Sequence, residues 1–480
     1  KGVIWTGSDD GLVQLTRDGG KTWTNVTPKD LKECLINSIE LSPHDPATVY
    51  IATTRYKFND FTPGLYKTTD YGKTWTNISN GIPQGAYTRV IREDNKRKNL
   101  LFAGTETGMY ISWNGGTSWQ PFQLNLPITP ITDLKIHQGD LIVATMGRAF
   151  WILDDVSLIR QYNGSDETIK IFQPEDAVIG NWGSALNKTS ADFKGTDTFQ
   201  GINPANGVVI YYNLPKIPDS LNISLEIKDA SGKLVRSFSS KKDDSFKSYT
   251  GGPSAEPLLL KKKGINRFVW NMRYATMKGV PEVYIESSFL GHKAPPGTYL
   301  LTLKYGKTES KTECKILPNP LYKISPETYA EHNQFMITME DALNDMHKKV
   351  NDLLKMRQQL EAVLKDFPEG DNYKALKKSG NDLVKKMKAW DDDMVQRKAK
   401  AYDDVDNYEN KFTANYLFLL NHSESDLPKV TQPNRDRYNE LTKEWNKLNA
   451  RATDIIEKDI PAYTKQLWDA GIGAVRVPVK

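Results

Sequence analysis

The sequence predicts a mainly β chain that turns α toward its C-terminal end: blades of a partial β-propeller, then an antiparallel β-sandwich, then an antiparallel helical bundle. Three observations predict it. An octet recurs, T-R-D-G-G-K-T-W at 16–23 and T-T-D-Y-G-K-T-W at 68–75, with a worn copy, S-W-N-G-G-T-S-W, at 112–119. Short β-rich runs alternate between residues 207 and 317. After Pro318, apolar residues fall into the three-four spacing of helices.

The octets come first because repeats decide architecture. Asp18 and Asp70 lie 52 residues apart, and Asp70 and Asn114 lie 44 apart. Apolar hairpin patterns at 3–15, 49–68, 100–112 and 141–153 stand in register with them. Units of about 45 residues with four short strands fit a propeller blade. Within the octet, Asp18 and Asp70 are placed to fold their carboxylates onto backbone N–H groups of the turn. Gly20, Gly72 and Gly116 suit a backbone with positive φ. Trp23, Trp75 and Trp119 are large apolar anchors between neighbouring blades.

The octet resembles the Asp-box, S/T-x-D-x-G-x-T-W, of sialidases, sortilin-type Vps10 domains and xyloglucanase-like propellers. That resemblance implies a partial Asp-box β-propeller over 1–155. In that family the box sits on the turn between the third and fourth strands, away from the ligand face, so the octets are expected to fasten the fold. The stretch G-R-A-F-W-I-L-D-D-V-S-L-I-R (147–160) resembles the closing segment of propellers in large bacterial proteins of the sortilin-like or BNR-repeat glycosyl hydrolase type. Those proteins often read H-G-R-G where this chain has Met146-Gly147-Arg148-Ala149. The resemblance implies a Bacteroidetes-like protein that is secreted, periplasmic or outer-membrane-associated. The blade pattern opens part-way through a blade, at Lys1, so the remaining propeller blades are expected from an N-terminal segment.

Residues 156–206, rich in Asn, Gly, Ser and Asp, read as an irregular linker. Over 207–317, breaks at Asp229-Ala230-Ser231-Gly232 and Tyr305-Gly306-Lys307-Thr308 mark hairpins of a sandwich. The runs V-x-I-x-D-x-x-G-K-x-V-R and A-P-P-G-T-Y-x-L-x-L resemble the immunoglobulin-like β-sandwich modules of bacterial secreted proteins. Residues 318–480 read as the helical bundle. Ser325-Pro326-Glu327 is a helix start. Met336, Met339, Leu343, Met346, Val350, Leu353, Leu360 and Leu364 then form one apolar stripe. A second helix runs through Leu376, Leu383, Met387, Trp390 and Met394, and a third through Tyr438, Leu441, Trp445, Leu448 and Ile455. Trp390, Trp445 and Trp468 are expected to find buried partners, and the apolar segment 415–420 to dock the bundle on a neighbour.

Bulk chemistry excludes several classes. The formal charge of +5 comes from 64 basic and 59 acidic residues, a balance that directs the chain to neither nucleic acid nor anionic membrane. No run of 18 or more apolar residues predicts a membrane span. Six His residues lie scattered without metal-ligand spacing, and no phosphate loop, nucleophile elbow or dinucleotide fingerprint occurs, so no cofactor and no metal are expected. Two cysteines, Cys34 and Cys314, make no disulfide framework.

Chemistry is expected on the loops between second and third strands: Ser8 to Gly11, Arg55 to Pro63, Thr105 to Thr107, and Met146 to Arg148. Glycoside hydrolysis needs two carboxylates flanking the sugar bond, and Asp9 or Asp10 with Asp60 or Glu106 are the candidates. Arg55, Tyr56 and Arg148 are the candidate ligand-binding residues. The competing reading is that Asp-Asp-Gly and Glu-Thr-Gly are hairpin turns. The spacing of Arg55, Arg89, Arg92 and Arg148 does not reproduce the arginine cluster a sialidase requires. The resulting expectation is a protein- or glycan-binding, scaffolding component of the cell envelope; the alternative is a glycoside hydrolase working on the loop face.

Overall fold

The computed structural model describes residues 2–162, 167–187, 203–425 and 427–472. Lys1, residues 163–166 and 188–202 of the expected linker, and residues 473–480 of the expected bundle lie outside the described residues. The chain divides into two compact units, Lys1–Ser165 and Asp166–Lys480.

The first unit is four antiparallel sheets, each a simple meander. The first is β1 (Ile4–Gly7), β2 (Val13–Thr16) and β3 (Thr24–Asn25); the second is β4 (Leu35–Leu41), β5 (Val49–Arg55), β6 (Asp60–Thr68) and β7 (Thr76–Asn77). The third is β8 (Thr88–Glu93), β9 (Leu101–Thr105), β10 (Gly108–Ser112) and β11 (Gln120–Pro121); the fourth is β12 (Ile131–His137), β13 (Asp140–Thr145) and β14 (Phe150–Leu153). These are propeller blades, and the reason lies in their residues. Val49 and Ile51 pack with Trp5, Val13 and Leu15, whereas Tyr50 and Ala52 pack with Ile91, Leu101 and Ala103. Val90, Leu100 and Phe102 turn the other way, onto Leu134, Leu141 and Val143. A strand buried on both faces needs a continuous apolar run rather than strict alternation, and β5 and β9 have one.

The octets form the turns β2–β3, β6–β7 and β10–β11, the last turn of each of the first three sheets. Thr68 Oγ1 donates to Asp70 Oδ1 (2.8 Å) and accepts from Gly72 N–H (2.9 Å). Thr74 N–H and its hydroxyl donate to the two oxygens of the Asp70 carboxylate (2.9 and 2.6 Å). The Asp18 turn repeats these bonds: the Thr16 hydroxyl donates to Asp18 (2.7 Å) and accepts from Gly20 N–H (3.0 Å), while Thr22 N–H and hydroxyl donate to the Asp18 carboxylate (2.9 and 2.7 Å). In the worn copy Asn114 keeps the acceptor side, taking Ser118 N–H at 3.0 Å, and donates its amide to Ser118 Oγ (2.9 Å). Hydrogen bonds from Thr22 hold Asp18, and those from Thr74 hold Asp70, down at a pKa of about 2.

Ala149, where the proteins it resembles often have Gly, sits at φ 59 in the left-handed region, its carbonyl taking Thr145 N–H (3.2 Å) and hydroxyl (2.6 Å). A Cβ is disfavoured there, and the relief exceeds the entropy a glycine adds to the unfolded chain. Ala149→Gly is therefore expected to raise stability by about 0.5–1 kcal/mol in urea melts.

In the second unit the strands are β15 (Lys170–Ile171), β16 (Ala177–Val178), β17 (Val208–Leu214), β18 (Ile223–Asp229), β19 (Leu234–Ser239), β20 (Gly264–Trp270), β21 (Gly297–Tyr305) and β22 (Thr308–Leu317). They form sheets ordered β15-β17-β20 and β16-β22-β21-β18-β19. Both sheets share one core around Tyr212, Phe268, Trp270 and Tyr299, which makes them a sandwich. A short helix α1 (Ser157–Gln161) closes the first unit, and the second continues into α2 (Pro326–Lys365), α3 (Asp371–Met394), α4 (Phe412–Ser423), α5 (Gln432–Asp454) and α6 (Ile460–Asp469). Ser325 caps α2, accepting Thr328 N–H (3.3 Å), with Pro326 in its first turn. Met336, Met339, Leu343, Met346 and Val350 are fully buried, as the stripe predicts.

The irregular connection 271–296 between β20 and β21 straps the sandwich to the helices. Its Met277, Val280, Val283, Ile285 and Phe289 enter the helical core. Arg273 pairs with Glu424 at 2.8 Å, His292 Nδ1 lies 2.9 Å from Glu340, and His347 Nδ1 is 2.6 Å from the Lys278 carbonyl. The tryptophans divide. Trp390 is fully buried and Trp445 stacks on Phe412 at 6.1 Å, but Trp468 is 76% exposed, because the face of α6 that carries it has no described neighbour. In 415–420, Tyr416, Leu417 and Leu420 are buried and Phe418 is exposed.

Candidate functional site

Successive turns of a meander lie at alternate ends of its strands, so in the first three sheets the hairpin loops β1–β2, β5–β6 and β9–β10 sit at the end opposite the octets. The second and third hairpins meet there. The chain leaves β5 through a single 3-10 turn, Tyr56–Phe58, with Asn59 left-handed at its end, and re-enters at β6. Phe61 C=O accepts Gly85 N–H (3.1 Å), and Glu106 N–H donates to Tyr87 C=O (3.0 Å). These bonds draw the turn of β5–β6, the approach to β8 and the turn of β9–β10 into one ledge.

The ledge is aromatic, with an ion pair at each side. Tyr56 stacks on Tyr87 (centroids 5.7 Å, 24° between planes), and Phe61 lies 6.0 Å from the same ring. Arg55 Nε donates to Asp60 Oδ2 (2.9 Å), and its guanidinium lies 5.1 Å from the Phe58 ring. Arg89 Nε donates to Glu106 Oε2 (2.7 Å), and Arg89 Nη2 to the Tyr87 hydroxyl (3.3 Å). Tyr56, Phe58 and Phe61 are 40%, 49% and 41% exposed. Burial and the neighbouring Glu106 push the Tyr87 hydroxyl up.

The candidates from sequence separate here. Arg55, Tyr56, Asp60 and Glu106 belong to the ledge. Asp9 and Asp10 are on the first hairpin and Arg148 on the fourth, and no side-chain hydrogen bond, ion pair or ring contact joins either of these hairpins to the ledge among the described residues. Asp9 is exposed. Asp10 serves its own turn, accepting from the Ser8 hydroxyl and from Leu12 N–H (3.3 Å), and the Ser8 bond lowers its pKa. Arg148 is exposed, its N–H on Thr145 Oγ1 (3.1 Å) and its C=O on Trp151 Nε1 (2.8 Å). Phe58, Phe61 and Tyr87 were not singled out from sequence, and Arg89 entered only among the arginines weighed for a sialidase cluster. A signal existed: three aromatics crowd the stretch 56–61, in a loop expected to face water.

Asp60 is set as an anion. The Thr62 hydroxyl and N–H, then Arg55, hold Asp60 at a pKa of about 2. Glu106 is committed to Arg89, its Oε2 2.6 Å from Nη2. A general acid needs a carboxyl that keeps its proton near neutral pH, usually by burial. The carboxyls that burial does push up in this unit, Glu40 on β4 and Asp154 after β14, lie outside the ledge. Among the described residues no cluster of His, Cys, Asp and Glu could hold a metal ion, and no helix is long and apolar enough to cross a membrane.

No protein family matches this sequence, and no curated protein does. Solved structures do. YCF48 bound to D1 peptide matches at 20% identity over 32% of this chain and 48% of that one, with a TM-score of 0.26. A GH74 xyloglucanase from Xanthomonas campestris matches at 12% identity over 65% and 42%, with a TM-score of 0.26. The extracellular domain of a hybrid two-component system from B. thetaiotaomicron matches at 11% over 66% and 37%, with a TM-score of 0.22. The chain spans less than half the length of each. Similarity at this level says nothing of what the chain binds.

Proposed function

We propose that the first unit binds a protein or glycan partner on the Tyr56–Phe61–Tyr87 ledge, as a scaffolding component of a secreted or envelope protein. The observation that carries this reading is the exposure of three aromatic rings on one hairpin between two internally neutralised ion pairs. Exposed aromatic and arginine side chains supply most of the energy at binding surfaces, and they have no core to fill here. Glycoside hydrolysis is the weaker reading, since Asp60 is held ionised and Glu106 is paired. Screening the chain against a glycan array and a peptide library supplies the ligand. Tyr56→Ala and Phe61→Ala are each expected to weaken that ligand about 10-fold or more, as anchors at a binding centre do. A ligand that ignores both substitutions contradicts the proposal. So does glycan turnover abolished by Asp60→Asn, which establishes the hydrolase instead.

A further inference from the structure

The strap 271–296 contains no strand or helix, yet it is folded on itself. Ala294 N–H donates to Met272 C=O (2.7 Å), Tyr274 N–H to His292 C=O (3.0 Å) and Met277 N–H to Phe289 C=O (2.8 Å). Its two arms therefore run side by side, with their roots at β20 and β21 and a tip over 277–289.

Root and tip are fastened to the helices differently. At the root the contacts are charged. Arg273 Nη1 donates to both Glu424 oxygens (2.8 Å), and Glu340 Oε1 accepts His292 N–H (2.6 Å) and faces His292 Nδ1 (2.9 Å). At the tip, one face of α2 reaches the strap's backbone with three side chains. Asn344 Oδ1 accepts Lys278 N–H (2.9 Å), His347 Nδ1–H donates to Lys278 C=O (2.6 Å), and Asn351 Nδ2 donates to Gly279 C=O (3.5 Å).

Of those three side chains only His347 can take up a proton, and its surroundings oppose one. The ring has no exposed surface, and its Nε2 is buried with no hydrogen-bond partner among the described residues. An imidazolium there would push an N–H into the apolar core with nothing to accept it. The strap offers the ring Lys278 C=O and the Phe289 ring at 6.0 Å. The charged side chains beside it, Lys278 of the strap and Asp345, Lys348 and Asp352 of α2, line an outer groove, and among the described residues no carboxylate pairs with the imidazole.

We infer that the strap is an acid-sensitive switch: protonation of His347 lifts the tip off α2 while the Arg273–Glu424 and His292–Glu340 contacts hold the root, and the lifted tip uncovers Met277, Val280, Val283, Ile285 and Phe289. With the tip lifted the imidazole meets water and titrates near its ordinary 6.5; with the tip closed it titrates near 4, so acid favours the lifted state. Between pH 7 and 4.5 this raises the opening equilibrium about 50-fold. The strands of the sandwich carry no histidine, so they have no trigger of this kind.

A thiol at the tip reads the opening in the intact chain. Val283 is buried in the helical core, and Val283→Cys places a thiol there. Cys314, buried on β22, is the internal control for the sandwich. Reaction with 4,4′-dithiodipyridine is measured at pH 7 and 4.5, each rate taken relative to the urea-unfolded chain at the same pH. The relative rate at position 283 is expected to rise about 50-fold on acidification and to exceed that of Cys314 at pH 4.5 by about tenfold or more. Adding His347→Gln, which keeps a donor but cannot charge, is expected to abolish the rise whatever the starting rate. A rise below about threefold overturns the inference. So does a thiol at 283 that reacts no faster than Cys314 at pH 4.5, since only unfolding of the whole unit would then expose it, and so does a rise that survives His347→Gln.

Discussion

Trp390→Ala is expected to destabilise the second unit by about 3–5 kcal/mol, the range for deleting a fully buried large aromatic side chain. Trp390 has no exposed surface, and its Nε1 donates to the Leu448 carbonyl at 2.8 Å, tying α3 to α5. Truncation opens a cavity in the helical core that Trp390 shares and leaves that carbonyl without its indole partner. Unfolding followed by helix ellipticity in urea measures the loss. A cost near that of Trp468→Ala, where the ring is already in water, contradicts the packing described for α3.

Acidification from pH 6.5 to 4 is expected to remove about 3 kcal/mol from the second unit through His347 alone. Burial holds the His347 imidazole neutral, with its pKa lowered to about 4, and its Nδ1–H donates to Lys278 C=O. The sign follows from linkage. The unfolded chain protonates this histidine near its ordinary 6.5 and the folded one only near 4, so stability is full above 6.5, declines between, and levels off below. His332, also lowered by burial, adds in the same direction. The low-pKa carboxylates Asp18, Asp60 and Asp70 belong to the first unit and lose their effect only at lower pH. Urea midpoints of the second unit at pH 7, 5.5 and 4.5 check this. A flat profile, or one unchanged in slope by His347→Leu, contradicts the buried neutral imidazole.

What the sequence made legible was local. The octet turns close over eight residues with their own side chains, so Asp70, Gly72 and Thr74 announce the bonds they make. The α2 stripe is legible because one helix fixes which residues share a face. The ledge was half legible. Arg55, Tyr56 and Asp60 lie within one loop, but Tyr87 and Arg89 reach them from another blade, and no periodicity encodes that meeting. The strap 271–296 was read as part of the sandwich because Met277, Val280, Val283 and Phe289 follow no regular spacing; their burial is against helices that come later in the chain.

The central claim is a division of labour: the octets fasten blades, and the opposite hairpin ends bind. It is tested most directly by the affinities of Asp70→Ala and Tyr56→Ala for a ligand selected on the wild-type chain. The expected result is that Asp70→Ala melts at a lower temperature yet binds like wild type, while Tyr56→Ala melts like wild type and binds about 10-fold more weakly. Loss of binding in Asp70→Ala at an unchanged melting temperature, with Tyr56→Ala binding normally, would contradict it.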